Sequence, residues 1–135
     1  MSPSASAPTV TVFGAAVMDR LGRATAPLIA GSSNPGSILT GIGGVGFNMA
    51  RGLARLGVSV RLIARVGRDN DGDLVRRAAE VLGIDVAGFS LSTTQPTGQY
   101  LAIHDADGEL AFGMADMAIQ AELDGAVLDG GIALA

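Results

Sequence analysis

An α/β fold built on a parallel sheet is the expectation for this chain, and three features carry it. Runs of β-branched and apolar residues alternate with stretches of three- and four-residue apolar spacing, at the intervals of βαβ units. After Gly83 the pattern turns to short strand signals, two of them joined by an Asp-Gly turn that predicts a hairpin. With 135 residues, 48% of them hydrophobic, the chain is long enough for about one domain.

Residues 1–8 have neither a positively charged start nor an apolar stretch, so they are expected as a disordered tail rather than a secretory signal. Residues 9–16 (TVTVFGAA) are β-branched and apolar behind Pro8 and are predicted to form a buried first strand. Residues 21–42 contain Pro27, Pro35 and several glycines, which predict loops around short strands, one of them at 37–42. From Val45 the period changes: Val45, Met49, Leu53 and Leu56 predict an amphipathic helix that Gly57 closes.

Residues 58–66 (VSVRLIARV) predict the next strand. Leu74, Ala78 and Val81, with Val75, Ala79 and Leu82, predict a second helix ended by Gly83, with Asp71 and Asp73 at its positive N-terminal end. Strands are then expected at 86–91, 98–104 and 109–114, the last two joined by the turn Asp105-Ala106-Asp107-Gly108. Residues 123–135 (LDGAVLDGGIALA) open like another buried strand. Right-handed crossovers would connect the parallel strands.

Composition narrows function. The absence of cysteine excludes disulfide scaffolds, thiolate zinc sites and cysteine nucleophiles. Nine basic residues, all arginine, against 13 acidic ones give a net charge of −4, the wrong sign for a domain that neutralises many phosphates, so nucleic acid is not an expected partner. No apolar run approaches the ~20 residues of a membrane span, which makes a soluble cytoplasmic protein the expectation.

The densest motif is Gly41-Ile-Gly43-Gly44-Val45-Gly46-Phe47-Asn48, which runs into the first helix. Its glycines would let backbone approach a ligand, and the helix start offers unpaired N–H groups; a plain tight turn is the other reading. Gly41, Gly43 and Gly46 also fit the dinucleotide pattern G-x-G-x-x-G. The motif, however, follows a second, turn-rich segment rather than the first strand, and the next strand ends at Arg65-Val66 without a ribose-binding acid. Asp69, Asp71, Asp73 and Glu80 half-match a calcium loop, but Leu74 stands where that loop needs glycine, so helix capping is the expected role. His104 reads as a surface residue. Asp19, just beyond the first strand, sits where open α/β sheets bind ligands, or else simply shapes a turn.

Asp19, Gly43-Gly44-x-Gly46-x-Asn48 and Val66-Gly67-Arg68-Asp69-x-x-Gly72, in this order and spacing, resemble the ribokinase (PfkB) family of carbohydrate kinases from about Thr9 to about Asp129. Within it, Arg20-x-Gly22-Arg23, Ser33-Asn34-Pro35-Gly36, Gly43-Gly44-Val45, Thr97-Gly98-x-Tyr100 and Ala115-Asp116-Met117 are most similar to pseudouridine kinases. The resemblance implies a ribokinase-like, Rossmann-like parallel sheet with a small β lid formed within about 21–42 and 98–114. It implies that Asp19 accepts hydrogen bonds from sugar hydroxyls, that the Gly43 and Gly44 backbone lies against the sugar, and that Asn48 bonds a ring hydroxyl. The reaction it implies is ATP-dependent, with magnesium, at a hydroxymethyl group of a sugar or nucleoside, and the lid would double as a homodimer contact.

Val17 and Val45 depart from the asparagine and lysine usual in ribokinases, which argues against ribose and leaves room for a nucleoside. The family's C-terminal catalytic Gly-Ala-Gly-Asp motif has no match here. Residues 9–135 are therefore expected to be the N-terminal, sugar-binding part of the fold, inactive alone and binding neither ATP nor magnesium well. The alternative is a non-catalytic sugar- or nucleoside-binding or dimerisation module.

Overall fold

The computed structural model describes residues 9–133, so the tail expected at 1–8 lies outside the described residues. Along the chain run β1 (Thr9–Phe13), β2 (Val17–Ala24), β3 (Gly36–Gly43), α1 (Val45–Arg55), β4 (Ser59–Gly67), α2 (Asn70–Val81), β5 (Phe89–Ser92), β6 (Gln99–His104), β7 (Leu110–Asp116), a 3₁₀ turn (Ala118–Glu122) and α3 (Gly125–Ala133). They form two sheets. One is parallel, in the order β1-β4-β5, and the other has the order β3-β2-β6-β7.

The parallel sheet carries the core. Alternation along β4 points Val60, Leu62, Ala64 and Val66 to the face shared by Val12 of β1, and there they meet Phe47 and Ala50 of α1 and Val75 and Ala79 of α2. Ile63, from the opposite face of β4, packs against Gly131 of α3, where an added Cβ would lie 2.6 Å from its Cδ1 atom. Helices thus lie on both faces of β4, whereas β1, expected as a buried strand, is exposed apart from Val12 because it is the edge strand.

The second sheet is the expected lid. Its β6–β7 hairpin pairs antiparallel through a turn closed by Gly108 N–H donating to the Asp105 carbonyl at 3.0 Å. Its centre, β2 beside β6, is parallel. An ion pair holds it to the core. Arg20 of β2 donates to both carboxylate oxygens of Asp71 on α2, at 3.0 and 2.8 Å, and to Gln99 at 2.8 Å. Beneath them, Asp69 caps α2 by accepting from Gly72 N–H at 2.8 Å, which bears out the capping role.

Two further expectations are corrected. The apolar tail expected as a strand at 123–135 is helix α3, started by Asp124, whose carboxylate accepts from Val127 N–H at 3.0 Å. An apolar run with no polar face has no period to read, and the Asp124 cap was the signal that distinguishes helix from strand. The second correction concerns the first strand: β1 ends at Phe13, and Gly14, Ala15 and Ala16 carry the chain out of the parallel sheet into β2. Asp19 is accordingly the third residue of a lid strand rather than part of a loop beyond the first strand.

Candidate functional site

β2 and β3 pair antiparallel with Asp19 opposite Gly41 and Val17 opposite Gly43, while Tyr100 of β6 lies beside Asp19 in register. Register partners share a face, so Asp19, Tyr100 and the glycines at 41 and 43 form one surface. The Asp19 carboxylate lies over Gly43: a Cβ there would collide with Oδ2, which is why this position takes no side chain. Gly44 follows in the left-handed region (φ 91°), and a Cβ on it would come within 2.5 Å of the Ala15 carbonyl oxygen. The sequence thus turns sharply from lid strand to helix directly beneath an acid.

That acid is available. Among the described residues no hydrogen bond or ion pair satisfies the partly buried Asp19, and burial pushes its carboxyl up from the usual carboxylate range. A carboxylate so placed is poised to accept hydrogen bonds from hydroxyls that enter the site. At the start of α1 the Phe47 N–H is taken by the Ala15 carbonyl at 3.0 Å, while Asn48 N–H bonds the Gly44 carbonyl at 2.9 Å.

The structure brings Asp19, Gly43 and Gly44 together. Asn48 stands one turn into α1, exposed, and its Oδ1 accepts from Arg51 Nη2 at 2.8 Å. To serve a ligand its side chain must leave Arg51, whose guanidinium also lies 5.7 Å above the Phe47 ring. His104 lies in β6 beside Arg23 in register, and no metal or nucleophile partner accompanies it among the described residues.

Three further features escaped the sequence. Thr97, 1% exposed, accepts from Gly67 N–H at 2.9 Å through its hydroxyl oxygen and donates to Asp69 Oδ1 at 2.6 Å; its own N–H donates to Asp69 Oδ2 at 2.8 Å. Burial raises the Asp69 carboxyl, but these hydrogen bonds and that from Gly72 outweigh it and hold it below its usual value. The segment that launches β6 into the lid is thereby fastened to the end of β4 and the start of α2. The Gln120 amide nitrogen is buried beside Gly98 and Val17 with no hydrogen-bond partner among the described residues, and no local pattern marks it. Glu122 is tied to Arg65 of β4 at 2.5 Å; that hydrogen bond, with others from Thr94 and Ser92, lowers its carboxyl to about 2.

The lid strand bearing an unsatisfied acid over a diglycine turn is the feature to set against known proteins. The sequence pattern of the pfkB family carbohydrate kinases matches residues 7–127. The chain belongs to the PfkB family of carbohydrate kinases. Its relatives include the uncharacterized sugar kinase YeiI of Escherichia coli (strain K12), 33% identical over 119 residues, which are 88% of this chain and 33% of YeiI. Pseudouridine kinase of the same organism is 34% identical over 110 residues, covering 82% of this chain and 35% of that kinase. Among solved structures, a carbohydrate kinase from Agrobacterium tumefaciens superposes with a TM-score of 0.74 at 40% identity, covering 81% of this chain and 35% of that one. The ribokinase-like fold is thus shared, and this PfkB chain spans about a third of the length of the relatives it matches.

Among the described residues no group of three or more His, Asp or Glu side chains is placed to hold a metal ion. No helix among them is long and apolar enough to cross a membrane.

Proposed function

We propose that this chain is the sugar- or nucleoside-binding part, residues 9–135, of an ATP-dependent kinase that phosphorylates a hydroxymethyl group, and that its ligand is pseudouridine or a similar nucleoside. The single observation that carries this reading is the unsatisfied Asp19 carboxylate held over Gly43 beside the Gly44 turn. Asp19 accepts hydrogen bonds from two neighbouring sugar hydroxyls, the bare Gly43–Gly44 backbone lets the ring approach, and Asn48 turns from Arg51 to a ring hydroxyl. A ligand without these hydroxyls would leave the half-buried carboxylate unpaired, which is how such a site rejects it. The 34% identity to pseudouridine kinase supports a nucleoside ligand.

ATP and magnesium act in the complete kinase. This chain supplies orientation and the cover of the lid, and its residues excluding water there would favour transfer to the ligand over hydrolysis. Lacking a Gly-Ala-Gly-Asp match, the 135-residue chain is catalytically inactive alone. That same absence favours the second reading, a non-catalytic binding or dimerisation module, which shares the Asp19 site. In either reading the exposed outer face of the lid is a contact for a second copy.

Titration calorimetry tests the site. Pseudouridine should bind saturably, and Asp19→Ala and Asn48→Ala should each weaken it at least about tenfold, the loss of one charged or well-placed hydrogen bond. A folded chain that binds neither pseudouridine, ribose nor another nucleoside refutes the reading. ATP-dependent phosphorylation of pseudouridine by the pure chain refutes its inactivity.

A further inference from the structure

Between the lid and the two helices α1 and α2 lies a groove of about 600 Å³, large enough for a small organic ligand. Buried Met18 of β2 and Phe47 of α1, with half-buried Ile42 of β3, give it an apolar floor. Arg51 and Arg55 of α1 and Arg77 of α2 stand around it, and no acidic residue lines it.

These three guanidiniums have no counter-ion. The four ion pairs among the described residues use Arg20, Arg61, Arg65 and Arg76, and Asp73, one turn before Arg77 on α2, makes none. Arg51 and Arg55 are four residues apart on one helix, a like-charge spacing that costs stability and that an anion in the groove would relieve. Three positive charges outnumber a single carboxylate. A phosphate monoester carries close to two negative charges at neutral pH and offers three oxygens to planar guanidinium forks. The floor calls for an apolar ring on that head, because phosphate alone would leave it in water.

Arg51 also links the groove to the Asp19 site. Its Nη2 donates to Asn48 Oδ1 at 2.8 Å while its guanidinium lies 5.7 Å above the Phe47 ring in the groove floor. An anion in the groove competes for that guanidinium. Once Arg51 turns to the anion, the Asn48 side chain is released to reach a ligand hydroxyl.

We propose that the groove binds a phosphate monoester carried on an apolar ring, and that this anion strengthens nucleoside binding by drawing Arg51 away from Asn48. The coupling rests on the reading of Asn48 as a nucleoside ligand; the groove site does not. Linkage is reciprocal, so each ligand tightens the other by the same factor.

Titration calorimetry with 1-naphthyl phosphate tests both parts, since this probe has the head and the ring but none of the sugar hydroxyls that Asp19 would accept from. Wild type should bind it at one site, at least about tenfold more tightly than inorganic phosphate, which leaves the apolar floor unused. Asp19→Ala should bind it as wild type does, and a chain carrying Arg55→Gln and Arg77→Gln should bind it at least about tenfold more weakly. With the probe saturating, the Kd of pseudouridine should fall at least about fivefold. In Arg51→Ala, where Asn48 is already free, pseudouridine should bind without the probe as tightly as wild type does with it, and the probe should add nothing. Circular dichroism checks that each variant folds. A wild-type chain that does not bind the probe, an Arg55→Gln and Arg77→Gln chain that binds it equally well, or its loss in Asp19→Ala overturns the groove site. Probe binding that leaves pseudouridine affinity unchanged overturns the coupling. A chain that binds the probe but no nucleoside refutes the reading of Asp19 and Asn48, and the coupling with it, while the groove site stands.

Discussion

The Thr97–Asp69 connection predicts its own cost. Thr97→Val keeps the side-chain shape, so no cavity opens, but it removes the 2.6 Å hydrogen bond to the Asp69 carboxylate and leaves Gly67 N–H, in the buried end of β4, without its 2.9 Å acceptor. A hydrogen bond to a charged group contributes about 1.5–3 kcal/mol, and an orphaned buried N–H costs about 1–3 kcal/mol. The two overlap, since the Thr97 N–H still holds Asp69 Oδ2, and the expected loss at pH 7 is roughly 2–4 kcal/mol. That is a large part of the ~5–15 kcal/mol of a typical domain. Urea unfolding measures it, and pH supplies a second reading. The Asp69 carboxyl sits lower in the fold than in the unfolded chain, so its contribution is complete above the unfolded value near 4 and drains away as pH falls through the folded value. The difference between wild type and Thr97→Val should therefore narrow below about pH 4, toward the part that belongs to Gly67 N–H. A loss under about 0.5 kcal/mol at pH 7, or one of equal size at pH 7 and pH 3, would refute the reasoning.

Two other perturbations follow from geometry. Asp19→Asn should abolish nucleoside binding without lowering the melting temperature at pH 7: burial raises this carboxyl, so its charge disfavours folding above the folded value and the handicap fades as pH falls through it. Melting curves of both proteins from pH 7 to pH 3 check this, and a clear destabilisation at pH 7 would give Asp19 a structural role instead. Gly131→Ala should cost roughly 1–3 kcal/mol, because the new Cβ would lie 2.6–3.0 Å from three side-chain atoms of Ile63, and together with Ile63→Ala it should cost clearly less than the sum of the two single changes in urea unfolding.

The parts of the fold that were legible in the sequence are those with a period or a punctuating residue. α1 and β4 lie within a residue or two of their expected bounds because Gly57 and a β-branched run mark them locally, but the apolar spacing named the wrong face of α1: Val45, Met49 and Leu56 are exposed, and Phe47 and Ala50 are the side chains it buries. Gly57 and Gly83 do adopt the positive φ that stops a helix (80° and 75°). α2 begins a turn earlier than its apolar residues suggest, because its first turn is Asn70, Asp71, Gly72 and Asp73, polar residues whose helicity comes from the Asp69 cap. α3 was invisible for the opposite reason, being apolar on every side but that of Asp129, too little to mark a face. Asp19, Gly43 and Gly44 were found as a set, since a diglycine at a helix start and an acid near a strand are local patterns. Their contact depends on β2 pairing with β3 across a loop of eleven residues, which no local pattern encodes. The Thr97 latch joins residues 28 and 30 positions apart and is equally beyond local reading.

The two neighbours Asp19 and Arg20 show how the site and the lid's attachment are one object. Adjacent strand residues face opposite ways, so β2 aims Asp19 at the diglycine turn and Arg20 at α2. Any rotation of the lid that moves Asp19 toward or away from Gly43 must also stretch or relax the paired hydrogen bonds from Arg20 to Asp71, which lie on the other side of the same strand. Asp71 is itself fixed in the first turn of α2, the turn that Asp69 caps and to which Thr97 ties the entry of β6. A ligand that draws Asp19 inward therefore acts against, or with, a half-buried bidentate ion pair and a buried hydrogen-bonded carboxylate rather than a free hinge. The position of the lid is set by polar bonds whose strength depends on geometry, and affinity at Asp19 includes the work of moving them.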